Sequence, residues 1–221
     1  MAHARLSRGL AAVGRLALSG HCLLAFACGS PPAVTAPVQE QPAPSVFAED
    51  DVRPLPRYHS KRLAVSLPLP DGPRWRIDDH SQPELVATHG ATRSRVTVAV
   101  FRADELVGRA QCEELARARK LLPPGELRTL EDDVTVTQET FDTRIWVALE
   151  PGGGPERPLT GHVLAFGGFL RKCYVFAFST EVASASEERV LSSRLAYARA
   201  RILGGLRLDP FGVVPREETA R

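Results

Sequence analysis

The chain has 221 residues, is 43% hydrophobic and 24% charged, and carries a formal net charge of +2. That length suits one globular unit with appendages. Such ordinary fractions exclude wholesale disorder, a collagen and a polytopic membrane protein, and a charge so near zero argues against a nucleic-acid binder.

Residues 1–27 read as a signal segment. His3, Arg5, Arg8 and Arg15 form a basic start with no acid, and Leu16 to Ala27 is an apolar run too short to span a bilayer as a mature helix. The run ends in Ala25-Phe26-Ala27, followed by Cys28. The segment Leu24-Ala25-Phe26-Ala27-Cys28 resembles the lipobox of bacterial lipoproteins, in which the cysteine is acylated and becomes the first residue of the mature chain. The resemblance implies lipidation of Cys28 and a membrane anchor. It departs from the usual pattern at Ala25, where that family prefers Leu, so cleavage after Ala27 to give a soluble periplasmic product is the alternative. Cys22 lies inside the apolar run behind His21 and is a poorer acceptor. Losing Arg5, Arg8 and Arg15 takes the net charge from +2 to −1. Gly29 lacks the Asp that in that family signals inner-membrane retention, which favours the outer membrane.

Residues 28–57 carry Pro31, Pro32, Pro37, Pro42, Pro44, Pro54 and Pro56 and the acidic run Glu49-Asp50-Asp51. Proline removes amide donors and fixes φ, so this stretch reads as a semi-stiff, solvated tether. A globular domain is expected over 58–213 and a polar tail over 214–221. Leu63, Val65, Leu67 and Leu69 alternate as in a half-buried strand, with Pro68 pointing to an edge. Asp71-Gly72-Pro73 is a turn, Trp75 and Ile77 begin a return strand, Leu85 to Thr88 forms a third, and Val96, Val98 and Val100 form a fourth. A helix is expected from an Asp104 cap through Val107, Ala110, Leu115, Ala118, Leu121 and Leu122, stopped by Pro123-Pro124-Gly125.

Beyond it, Val134 and Val136 lead towards a strand at Arg144 to Leu149, and Gly152-Gly153-Gly154-Pro155 forms a loop. Two more strands, His162 to Phe166 and Cys173 to Phe178, join around Gly167-Gly168. The last helix is capped by Ser184 or Ser186 and buries Leu191, Leu195, Ala198 and Ile202 before Gly204-Gly205. Leu206-Arg207-Leu208 adds a short edge strand. Strands with two separated helices and no strict βαβ alternation predict an α+β sandwich around a mainly antiparallel sheet. The run Leu67-Pro68-Leu69-Pro70-Asp71-Gly72-Pro73-Arg74-Trp75, and Val175 to Thr180 leading into a terminal helix, resemble the PsbP-like family, which includes DcrB-type envelope lipoproteins. That resemblance covers residues 60–210 and implies the same sandwich. The family is functionally mixed, so it implies binding or assistance to other proteins rather than a defined chemistry.

Cys112 and Cys173 remain as a possible disulfide in an oxidising compartment, or as two small buried thiols. Asp78-Asp79-His80 reads as a solvated turn rather than a metal site, since successive strand residues point to opposite faces. Glu131-Asp132-Asp133 reads as a solvated loop. The sequence holds no nucleophile elbow, zincin motif or P-loop. Together these readings predict a non-enzymatic, membrane-anchored envelope lipoprotein with no cofactor and a protein partner in the envelope. The alternatives are a hydrolase whose site is assembled from distant residues, and a lipid or small-ligand carrier with a dry cavity beside the sheet.

Overall fold

The computed structural model describes Phe47 and residues 54–137, 140–151 and 156–208. The signal segment 1–27, Cys28, most of the tether, the Gly152 to Pro155 loop and the tail 214–221 lie outside the described residues. In chain order come β1 (Arg57–Ser60), β2 (Val65–Pro68), β3 (Trp75–Asp78), β4 (Leu85–His89), β5 (Ser94–Arg102), α1 (Arg109–Ala118) and β6 (Arg128–Thr137). Then follow β7 (Phe141–Leu149), β8 (Leu159–Phe169), β9 (Lys172–Val182), α2 (Glu188–Tyr197) and β10 (Arg207–Leu208). The chain is α+β, as its sequence predicts.

Seven strands form one antiparallel sheet in the order β3-β4-β5-β9-β8-β7-β6, and β1-β2-β10 form a smaller one. Period-two alternation gives the large sheet two apolar faces. Val96, Val98, Val163, Ala165, Ile145, Val147, Phe176 and Phe178 join α2 and the small sheet in the main core. Ala99, Leu164, Phe166, Val175 and Ala177 face the other way and pack with Ala116 of α1 in a second, smaller core. The approach of α2 is set at Gly161, where a Cβ would meet Leu195 Cδ1 at 2.7 Å.

Several boundaries differ from the sequence expectation. Asp104 starts no helix; α1 begins at Arg109, where the Gly108 amide donates to Gln111 Oε1 at 3.1 Å. Gly167 and Gly168 lie inside β8, and the turn to β9 falls at Leu170, with φ 52°. A Cβ on Gly167 would fall within the Tyr174 ring, so the glycine serves packing and not turning. Glu131-Asp132-Asp133 is no loop but part of β6. Pro68 ends β2, the middle strand of its sheet, and is tolerated there because β10 pairs only with Val65 and Ser66. Phe47 and Leu55, counted with the tether on sequence grounds, are buried.

After Tyr197 the last helix widens to π-helical turns over Ala198–Leu203, in which the Gly204 amide donates to the Arg199 carbonyl at 3.0 Å. Among the described residues, no helix is long and apolar enough to cross a membrane.

Candidate functional site

On the α1 face of the large sheet, register places His162 of β8 opposite Ser179 of β9. His162 Nδ1 lies 2.9 Å from Ser179 Oγ, and Nε2 lies 3.1 Å from Glu150 Oε1 just past β7. A hydroxyl, an imidazole and a carboxylate in that order are the parts of an activated nucleophile. Here the imidazole itself is closed off, at 2% exposed, while Ser179 is half-buried and the Glu150 side chain is 41% exposed. β9 is paired on both sides, with β5 and β8, so its amides are committed to the ladder and none turns outward to hold an oxyanion. Burial holds the imidazole pKa below its usual 6.5, against the upward pull of Glu150. The neutral ring bridges neighbouring strands.

A second histidine sits in a closed polar knot. His89, 1% exposed, has Nδ1 2.8 Å from Thr92 Oγ1 and Nε2 3.5 Å from Asp71 Oδ2. Thr92 donates to Ser94 Oγ at 2.8 Å, and Thr180 donates to the Thr92 carbonyl at 3.1 Å. Arg194 of α2 reaches that same carbonyl at 3.0 Å. Burial pushes the His89 pKa down, outweighing the nearby Asp71. The hydroxyls satisfy one another and leave no oxygen facing solvent for transfer chemistry.

The residues singled out in the sequence take mainly structural places. Cys112 of α1 and Cys173 of β9 are both buried and are joined by a disulfide, with Cα atoms 5.5 Å apart. Asp78 caps its turn by accepting the His80 and Ser81 amides at 3.1 and 3.0 Å and the Ser81 hydroxyl. Those bonds pull its pKa down to about 2. Asp79 departs from the solvated-turn reading: it is buried, and it accepts from Tyr58, Ser60 and Arg62 at 3.2, 3.1 and 3.1 Å, which pins β1 to the end of β3. Among the described residues no group of His, Cys, Asp and Glu could hold a metal ion.

The acidic run on β6 borders an open cleft. Asp132 faces α1, where Arg144 clamps it at 2.6 and 2.9 Å and also reaches Glu113 at 2.9 Å. Glu131 and Asp133 face the other side, and Arg199 from the π-helical turn bridges both, the latter at 2.7 Å. Beneath that bridge lies a cleft of about 590 Å³ between β6–β7 and the last helix. Its floor is Ile145, Val147, Leu195 and Leu203, and its rim is Glu131, Asp133, Ser192 and Arg199. The size lies in the range of small-molecule and peptide-anchor pockets, and an apolar floor with a few convergent polar groups is their usual composition. Leu130, which lines it, is 50% exposed. A π-helical turn often marks a functional position, and here it supplies Arg199, Ala200 and Leu203 to the wall. A second groove of about 760 Å³ beside Trp146 is bounded mainly by the loop after α1.

Local motifs could not reveal the cleft, because it exists only through the register of β6 on β7 and the placement of a helix some 60 residues on. The one available signal is the consecutive acidic triplet Glu131-Asp132-Asp133, whose members face alternate sides of the strand.

No family model and no curated protein matches this chain. Among solved structures it is similar to the Ran-binding protein Mog1p of Saccharomyces cerevisiae, with 11% identity, a TM-score of 0.47, and coverage of 70% of this chain and 96% of that one. It is also similar to LpqN, a Mycobacterium tuberculosis protein involved in cell envelope biogenesis, with 13% identity, a TM-score of 0.44, and coverage of 70% and 90%. A Bacteroides thetaiotaomicron VPI-5482 protein shows 9% identity and a TM-score of 0.44 over 72% of this chain, which spans only 50% of that protein. Likenesses this distant carry no activity, ligand or partner across to this chain.

Proposed function

We propose that this protein is a membrane-anchored component of the bacterial cell envelope that performs no covalent chemistry and binds another envelope protein through the cleft between β6–β7 and the last helix. The anchor is Cys28, on the strength of Leu24 to Cys28, and the outer membrane is the favoured location. The observation that carries the binding reading is the cleft itself: an apolar floor under the Arg199 bridge, with exposed Leu130 of the edge strand at its side. The two histidine networks favour binding over catalysis, because each imidazole is buried and held by its neighbours, and the Ser179 strand is paired on both sides.

Two measurements test this. Cys28→Ser should move the protein from the membrane to the soluble fraction and abolish metabolic labelling by palmitate; unchanged labelling sinks the anchor. A photo-crosslinking residue at Ser192 in intact envelopes should give one discrete protein adduct, lost when Ala200→Trp fills the cleft of a folded chain. An adduct with lipid alone, or one indifferent to Ala200→Trp, overturns the protein-binding reading.

A further inference from the structure

β6 (Arg128–Thr137) is the terminal strand of the seven-stranded sheet, and among the described residues no strand pairs with its outer side. Natural edges are kept short or blunted with proline or lysine, because their unpaired amides and carbonyls template another strand. β3, at the opposite end of the sheet, is four residues long. β6 has ten, with neither proline nor lysine among them. Its one register shift lies between Thr129 and Glu131, so the ladder from Glu131 to Thr135 is regular. The Val134 amide donates to Asp133 Oδ1, a group of its own strand, at 2.8 Å. Such a local bond satisfies an edge donor where no next strand stands beside it.

Alternate side chains of β6 border hollows on both faces of the sheet. Leu130, Glu131, Asp133 and Thr135 line the cleft under the last helix. Asp132 and Val134 line a second hollow of about 390 Å³ on the α1 face, with Arg109, Ala110 and Arg144. A strand laid along β6 presents its own side chains alternately to those same two faces. Main-chain bonds then supply affinity, and the two hollows select the side chains. On the α1 face Val134, 51% exposed, offers an apolar neighbour. On the cleft face Glu131 and Asp133 share Arg199, which is the only cation lining that cleft among the described residues. Two carboxylates against one guanidinium favour a basic side chain in the incoming strand and oppose an acidic one. The same charges disfavour a second copy of this chain, since self-pairing centred on Asp132 would set three acids against their own counterparts.

We infer that β6 is a strand-addition site: the partner held at the cleft contributes an extended segment that pairs with Glu131 to Thr135, with a lysine or arginine over Glu131 and Asp133 and an apolar residue beside Val134. The inference rests on the protein-binding reading of the cleft and specifies the form in which the partner binds.

The test keeps the photo-crosslinking residue at Ser192 and changes only the edge. Val134 lines the α1 face and not the cleft, so a substitution there acts on an adduct at Ser192 through the edge. Val134→Pro deletes the outer amide at a position where an edge strand tolerates proline, whereas Val134→Ile keeps both the amide and the apolar side chain. In intact envelopes Val134→Pro should cut the yield of the protein adduct at least about tenfold, and Val134→Ile should hold it within about twofold of the parent chain. Equal yields from the two variants overturn strand addition, and where the adduct persists in both they leave the cleft reading standing. No protein adduct from the parent chain overturns both readings. Should Val134→Pro fail to fold, hydrogen exchange on the purified parent adduct decides instead. The Asp132 and Val134 amides, which share the outer side by alternation, should exchange at least about tenfold more slowly than in the free chain. Unchanged exchange at both overturns strand addition.

Discussion

Both buried histidines are held neutral by desolvation, and the consequence is a pH dependence of stability whose sign is fixed. A histidine whose folded-state pKa lies below 6.5 takes up its proton on unfolding, so the unfolded chain binds more protons between the two values. Stability is therefore full above about pH 6.5 and falls as pH drops through it, with a slope of up to about 1.4 kcal/mol per pH unit for each ring. Urea unfolding between pH 7.5 and 5.5 should show this fall, and His162→Gln should flatten it while leaving the His89 share. A slope unchanged in His162→Gln would mean that the ring takes up its proton alike in the folded and unfolded chains, and would overturn the desolvation reading. Asp78 acts with the same sign in a separate, lower window: with its pKa pulled down to about 2, its contribution is present above the usual carboxylate range and is lost as pH falls through that range into strong acid.

At the level of elements, the disulfide is the one covalent tie between α1 and the sheet. It joins residues 61 apart and sits at the base of the smaller core, where Ala116, Phe166 and Val175 meet. Closing a loop of that length stabilises by about 4 kcal/mol in the chain-entropy model. Paired Cys112→Ala and Cys173→Ala replacements should lower the unfolding free energy by about 2–5 kcal/mol in non-reducing urea titrations. A loss below about 1 kcal/mol would show that α1 is held by packing and by the Arg144–Glu113 pair instead. The elements that were legible in the sequence are those whose pattern is local. Val96, Val98 and Val100 announce a strand, and Leu191, Leu195, Ala198 and Ile202 announce a helix, because one face of each is buried. β6 was illegible because its acids are neutralised by Arg144 and Arg199, which only tertiary structure brings near. Asp104 misled because a good capping residue needs a chain that turns helical behind it, and here the backbone stays open until Gly108. The cleft was invisible for the same reason as β6: it is built by register and docking across distant segments.

Over the whole molecule, the cysteines carry a consequence of their own. From residue 28 onward the chain has three, and two of them are bonded to each other in the interior. The folded domain is therefore silent towards thiol reagents, and any maleimide uptake by denatured, unreduced protein lacking residues 1–27 reads residue 28 alone. Protein recovered from membranes should take up none, and the fraction that does take it up measures directly how much has escaped acylation. A label appearing on Cys112 or Cys173 peptides would instead reveal a domain that reached its compartment without oxidising. The disulfide that braces α1 thus turns the chain into its own gauge of processing.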